Sequence, residues 1–397
     1  MKKFNILQFV RAIIFLSRGA VCYKLCRNLF LLFLTLFFIQ RKNDNQPTAK
    51  VLSLPFKIEE KYLSVTESDY QYSYHFIPLE TKEESLLSKI FCIKRYNNYL
   101  YIHSLFNKSV MIFSDSGKFI KKIPIGRGPG EIMDPLYITI DEQNKQLEIL
   151  DFFRQIKKYT LEGDYIASQP CCTSSEFEKL GNNYLFHSFT AQNSKNYFTV
   201  QSTNKETKSY LDSDKTKKPP LMAYSHLFKT DTTIYFHTDF NNIVYSISIN
   251  NLTPKPYATL INQCTAKRIN SLPVSKIDDF CMGEKLYINM LNFNVLHNGS
   301  TIYAEMITEN NVETFLYDTD TQTTYLVDNG LDGCIVGSHK DYQYKYITPS
   351  QIDYYLQNEN VKKNKPLYEK LNDLSSTIKE EDNPVIVEIQ IKNINHE

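Results

Sequence analysis

The chain of 397 residues contains no tryptophan and carries almost no net charge, with 45 Lys and Arg against 44 Asp and Glu. That balance removes the simplest support for holding a polyanion, which needs a basic face or stripe, so nucleic acid is not expected as a partner. The short signatures of catalysis are also missing: H-E-x-x-H, G-x-S-x-G and an EF-hand loop do not occur. Nor is there a C-x-x-C. Cys92, Cys171, Cys172, Cys264, Cys281 and Cys334 stand at no zinc-finger spacing to any histidine, so thiolate metal binding is not expected, no cofactor is predicted, and the default role of these thiols is that of small buried hydrophobes. Several pairings would be open to them in an oxidising compartment, and the sequence selects none. Histidines at His75, His103, His187, His226, His237, His297 and His339 are scattered singly, and no linear constellation marks a catalytic residue.

What the chain does have is aromatic and apolar side chains in quantity: 28 Tyr, 25 Phe and 42% hydrophobic residues overall. Tyrosine and phenylalanine suit a pleated, half-buried surface and favour strands over helices. The first forty residues differ from the rest. Lys2, Lys3, Arg11, Arg18, Lys24 and Arg27 precede the first acidic residue, Asp44, and an apolar run follows from Leu29 to Ile39. Basic flanks before an apolar core are the layout of an export signal. As a helix the run spans about 16 Å, well short of a hydrocarbon core of roughly 30 Å. Residues 1–40 therefore read as a hydrophobic helix serving as export signal or signal anchor, with membrane association through residues 29–39. No small-x-small site follows Ile39, and the segments ending at Cys22 and Cys26 make poor lipoprotein boxes, so cleavage, lipidation and retention all stay open. Residues 41–56, of which Arg41 to Ala49 are polar with one proline, read as a linker.

The informative feature is an internal repeat. Phe113-Ser114-Asp115-Ser116-Gly117-Lys118-Phe119-Ile120 is echoed 46 residues on by Tyr159-Thr160-Leu161-Glu162-Gly163-Asp164-Tyr165-Ile166, and each copy follows a strand-like run, Tyr99 to His103 and Gln146 to Leu150. A period of forty to fifty residues is that of propeller blades. Hairpins of alternating apolar and polar residues recur at Asn182–Gln201, Thr233–Ile249 and Thr301–Tyr317, giving five units between Ile90 and Val327. A ring of blades closes best when the two chain ends share one blade, because no long edge is then left unpaired. Tyr72–Ile77 and Val385–Ile391 are the pair predicted to do so, with Ile335–Val336 and Tyr344–Ile347 as further strands. Gln351–Leu356 and Pro366–Ile378 read as short helices or turns in a late insertion. The expectation is an all-β, six-bladed β-propeller of four-stranded antiparallel blades over residues 57–392, closed by N- and C-terminal strands and behaving as a monomeric body.

Gly117 to Ile123, followed by Gly126-Arg127-Gly128-Pro129-Gly130-Glu131-Ile132 and Pro135, resembles the six-bladed propeller family common in exported Bacteroidetes proteins, itself similar to NHL-repeat propellers. The closing segment Glu380 to Val387 and the stretch Asn242 to Tyr257 are similar to the same family. The resemblance covers nearly all of the chain after Val51. It implies fold and export; members often carry a lipoprotein cysteine after the signal, and none stands near Gln40 here. It implies no shared chemistry.

The glycine motif is not a phosphate loop. Pro129 removes a backbone donor, Glu131 adds a negative charge, and Leu136–Asp141 reads as a strand where a phosphate loop would need a helix. Gly126, Gly128, Pro129 and Gly130 are read as a structural crossover between blades, with positive φ allowed at the glycines. Arg127 and Glu131 either pair across that crossover or face the channel as candidate binding residues. Asp141, Asp151 and Glu305 are candidate calcium or acid–base ligands of a channel site, against the plainer reading as turn carboxylates. The functional expectation is an envelope propeller that binds a protein, small molecule or glycan without catalysis; the alternative is a calcium-dependent hydrolase or lyase with its site in the central channel.

Overall fold

Short runs with period-two polarity cannot bury their apolar face alone, and in this protein they do so by forming small sheets that stack on one another. A computed structural model describes residues 51–393, except 57–62, 65–69, 189–195, 203–204, 213–225, 239–240, 262–267, 269–270, 277–279, 281–288, 297–298, 308–311, 328–329 and 332. The predicted N-terminal helix, Cys264, Cys281 and His297 lie outside the described residues.

The first described strands are β1 (Leu52–Leu54), β2 (Leu63–Ser64) and β3 (Tyr70–Pro78). Blade 1 follows as β4 (Ile90–Tyr96), β5 (Tyr99–Ser104), β6 (Ser109–Ser114) and β7 (Phe119–Lys122), and blade 2 as β8 (Pro135–Asp141), β9 (Gln146–Asp151), β10 (Gln155–Thr160) and β11 (Tyr165–Pro170). Blade 3 is β12 (Glu176–Leu180), β13 (Asn183–His187), β14 (Asn196–Gln201) and β15 (Thr207–Asp212). Blade 4 is β16 (Leu227–Lys229), β17 (Thr233–Phe236), β18 (Ile243–Ser248) and β19 (Asn251–Leu260), and blade 5 is β20 (Asn289–Val295), β21 (Thr301–Ile307), β22 (Val312–Asp318) and β23 (Thr323–Val327). Blade 6 takes β24 (Gly337–His339), β25 (Tyr342–Ile347) and β26 (Val385–Asn393) and is completed by β3. This is the six-bladed, four-stranded antiparallel arrangement that the repeat predicts.

The closing pair is the one read from the two chain ends. β26 and β3 run antiparallel over nine residues, from Val385 opposite Pro78 to Asn393 opposite Tyr70. Side chains reinforce the seam. Asn383, 2% exposed, donates from Nδ2 to the carbonyls of Glu80 and Ser85 at 2.9 Å each, accepts from Leu87 N–H at 2.9 Å, and donates its own N–H to Thr81 Oγ1 at 2.9 Å. Arg95 of blade 1 donates to the Glu388 carboxylate on β26.

Two strands ahead of β3 are not in the sequence reading. Leu52–Leu54, inside the stretch read as linker, is a strand paired in parallel with β19, because Leu54 and Phe56 are fully buried against blades 4 and 5. β2 likewise pairs in parallel with β23. The late insertion contains three helices, α1 (Pro349–Gln357), α2 (Glu359–Lys363) and α3 (Lys365–Ser375). Ile352, Tyr355, Val361, Leu367 and Leu371 pack on the face of blade 6 that carries Val385, Val387 and Ile389. Among the described residues no helix is long and apolar enough to cross a membrane. Cys92, Cys171, Cys172 and Cys334 are free thiols, and the core lies between blades, as in the cluster that joins Tyr101 and Ile112 of blade 1 to Ile138 and Tyr159 of blade 2 and Phe177 of blade 3.

Two expectations follow from these contacts. Asn383→Ala leaves Leu87 N–H and two carbonyls without their buried partner, and lowers unfolding free energy by about 2–3 kcal/mol, read as an earlier urea midpoint at unchanged m-value. His103, 1% exposed and edge-on to Phe91, has its pKa pushed down to about 4 by burial, against the opposing pull of Asp134. The unfolded chain then takes up a proton near pH 6.5 that the folded protein refuses until about pH 4. Stability from this residue is complete above that window and is lost as pH falls through it, by about 3 kcal/mol. His103→Leu flattens the wild-type pH profile between those limits.

Candidate functional site

The first strand of every blade is the innermost, so β4, β8, β12, β16, β20 and β24 surround the axis and their alternate side chains point toward it. Between them lies a cavity of about 310 Å³, lined by residues of all six blades. Its walls combine aromatic faces at Phe91, Tyr137 and Tyr235 with polar groups at Lys94, Thr139, Glu178 and Asn292, and the turns after the first strands contribute Glu142, Asp231 and Lys340. Large apolar faces with a few fixed polar groups are what a small-ligand site requires.

The centre of the channel is a three-blade contact. Lys94 of β4 donates to Glu178 Oε1 of β12 at 2.5 Å, and Thr139 of β8 donates to Glu178 Oε2 at 2.5 Å. The Lys94 ammonium also sits 5.0 Å from the centre of the Tyr137 ring, a cation–π geometry. Burial, the largest single influence, pushes the Lys94 pKa down, but Glu178, Tyr137 and Cys92 together hold it well above the ordinary lysine value. Burial pushes the neighbouring Cys92 thiol up to about 12 and the Tyr137 phenol upward as well. At neutral pH the channel therefore presents a fixed cation, a protonated thiol and a protonated phenol. Nearer the mouth, Lys229 donates to the Ile140 carbonyl at 3.4 Å and lies 3.9 Å from Glu142, while burial lowers the pKa of His339.

The glycine motif lies in the crossover from β7 to β8 and does not line the channel. Arg127 is exposed and forms no ion pair with Glu131. Glu131 instead accepts from Gly128 N–H at 2.8 Å, and its carbonyl accepts from Lys157 of blade 2. Gly126 N–H donates to the Ile132 carbonyl at 2.9 Å and Tyr159 OH donates to the Gly130 carbonyl at 3.2 Å, so the loop is pinned to the blade it enters. Positive φ, which all three glycines allow, is not used at Gly128; Gly130 has φ 78° and a Cβ there would stand 2.8 Å from Cβ of Tyr165.

The three candidate carboxylates do not converge. Asp141 pairs with Lys179 and caps the turn at Asn144; Asp151 accepts from Asp134 N–H at 2.9 Å and Phe152 N–H at 2.9 Å and pairs with Lys157 at 3.0 Å; Glu305 accepts from Ile335 N–H at 3.0 Å. Each secures its own strand end or blade junction. Lys94 and Glu178 were not legible as site residues, because 84 positions separate them and only closure of the ring brings them together. A second set of donors, Glu176 with His187 and His226, comes together at the start of β12. Its signal was a repeat of spacing: Glu176 and His187 are 11 apart, as are His226 and His237, and the two pairs are offset by 50 residues, one blade.

Fold and channel together define a six-bladed propeller with a polar axial cavity. The chain belongs to the DUF4934 family, a domain of unknown function, matched over residues 51–390. No curated protein matches the sequence. A Bacteroides fragilis protein of solved structure, named for its expected export, is similar at 18% identity with a TM-score of 0.64, covering 86% of this chain and 100% of its own. A Bacteroides vulgatus member of the duf4221 family aligns at 10% identity and TM-score 0.47, over 82% of this chain and 99% of its own.

The two glycine positions separate by experiment. Gly130→Ala forces a left-handed residue against Tyr165 and costs about 1–3 kcal/mol. Gly128→Ala meets only the movable Glu131 carboxylate, 3.1 Å away, and shifts the melting midpoint far less; equal shifts in the two variants would contradict the geometry of the loop.

Proposed function

We propose that this is an exported cell-envelope propeller that binds a small polar ligand of the glycan type in its axial channel without transforming it. The observation that carries the reading is the state of the channel's reactive groups. A lysine held charged by Glu178, a protonated Cys92 and a protonated Tyr137 can donate hydrogen bonds and pack against a ligand, but none is a ready nucleophile or general base. Aromatic walls beside Thr139 and Asn292 suit the apolar faces and hydroxyls of a sugar. Export is supported by the basic and apolar layout of residues 1–40 and by the name of the Bacteroides fragilis neighbour. Membrane association through residues 29–39 and a monomeric body belong to the same proposal. Calcium-dependent hydrolysis or elimination finds less support, because Asp141, Asp151 and Glu305 are engaged separately.

Calorimetric titration with a panel of mono- and oligosaccharides tests the reading. Saturable binding is expected, weakened at least about tenfold in the Lys94→Met/Glu178→Gln double variant, which removes the buried charge pair as a unit. Unchanged affinity in that variant, or chemical conversion of the bound sugar with or without calcium, would overturn it.

A further inference from the structure

At the junction of blades 3 and 4, side-chain donors converge that the channel does not use. Glu176 opens β12 and stands directly across from His187 at the end of β13. His226 immediately precedes β16 in the next blade. The Nδ1 atoms of His187 and His226 both face Glu176 Oε1, at 2.8 and 2.7 Å. One donor atom from each residue lies within 4.8 Å of the other two, and all three residues are at most 2% exposed. Among the described residues no other trio of histidine, cysteine or carboxylate comes together in this way.

We propose that Glu176, His187 and His226 form a binding site for a divalent transition metal of the zinc type, fastening blade 3 to blade 4. Two imidazole nitrogens and one carboxylate oxygen are the three-ligand set that zinc accepts, with a fourth position for water or another donor. The trio already faces a common centre, and widening the nitrogen–oxygen separations by about 0.5 Å opens room for metal–ligand bonds of about 2.0–2.2 Å. Binding replaces the two contacts between Nδ1 and Oε1 by three bonds to the ion. The surroundings hold the donors in place. Glu176 accepts from the His226 backbone N–H at 3.0 Å, an orientation of the kind that fixes metal ligands from behind. The rings stand in one column, with Phe198 4.8 Å from His187, His187 4.3 Å from His226, His226 5.1 Å from His237, and His237 5.8 Å from Phe228.

Satisfying a buried carboxylate does not by itself account for this arrangement. Glu305 meets the same need at another junction without an imidazole, through the Ile335 backbone N–H, the Tyr303 hydroxyl at 3.3 Å and the Lys345 ammonium 3.9 Å away, and Glu176 has its own backbone donor before either imidazole is counted. Two imidazoles from adjacent blades facing one buried carboxylate are the donor complement of a metal centre. The two blades also meet here through Phe198 and Phe236, whose ring centres are 4.3 Å apart, and because β16 is only three residues long a cross-blade bond at its start would add to that packing. This site is independent of the channel reading, and neither depends on the other.

The test uses the folded protein stripped with chelator and then titrated with Zn²⁺, Ni²⁺ or Co²⁺. One equivalent is expected to bind, the melting midpoint to rise by at least about 3 °C, and Co²⁺ to give visible bands of a nitrogen-ligated centre. His187→Asn and His226→Asn keep a side-chain donor for Glu176 but remove the imidazole, and each lowers affinity at least about 100-fold while the metal-free midpoint changes little. If either variant fails to fold, the wild-type Co²⁺ spectrum and stoichiometry decide alone. No response of the midpoint to any of the three metals, or binding retained in the asparagine variants, overturns the proposal.

Discussion

Everything in this protein depends on the antiparallel seam between β26 and β3. Each blade is a small sheet that covers its faces only by stacking on two neighbours, so a five-blade arc would expose two apolar faces at its ends. Pairing of Val385–Asn393 with Tyr70–Pro78 removes both at once. The polar contacts gathered there serve the same end: Asn383 ties the last segment to the chain between β3 and β4, and Glu388 reaches Arg95 on the first full blade. A buried asparagine with all its partners met, and a carboxylate shared across the seam, specify one register where backbone pairing alone would allow slippage.

Between the other blades, charge does work that apolar packing alone would leave unspecific. Lys179 of blade 3 reaches Asp141 of blade 2 and lies 3.6 Å from Glu148, which also accepts from Tyr184 OH at 2.9 Å and pairs with Lys158 at 3.4 Å. Such buried pairs contribute little net stability, since desolvation offsets attraction, but they penalise misalignment strongly. The Lys94–Glu178–Thr139 contact follows the same logic at the axis, joining blades 1, 2 and 3 at the centre of the channel.

The blade period, the hairpins and the closing strands were legible in the sequence because they are local properties: alternation, turn residues and a repeat of fixed length. What could not be read was any property of side chains from different blades. The channel residues look unremarkable along the chain, and the histidines seem isolated until the ring places His187 and His226 against each other. The paired 11-residue spacing one blade apart was visible, yet it carries meaning only once Glu176 and His187 are known to be cross-strand partners. Which glycine of the motif needs its missing side chain is decided by Tyr165, thirty-five positions from Gly130 in the sequence and a van der Waals neighbour in space. The linker was drawn too long because parallel pairing of three residues leaves no periodic signature.

The order in which the seam's halves leave the ribosome has a kinetic consequence. β3 is made before five blades and β26 after them, so the most extensive pairing among the described strands has the greatest sequence separation. Contacts of that kind form late and slowly, after much loop entropy has been lost. Until the final strand arrives, a growing chain has assembled blades with an open end, exposed to wrong pairing and to chaperones that hold such edges. A ring wired in this way stays open while its blades are made and locks only once β26 is available.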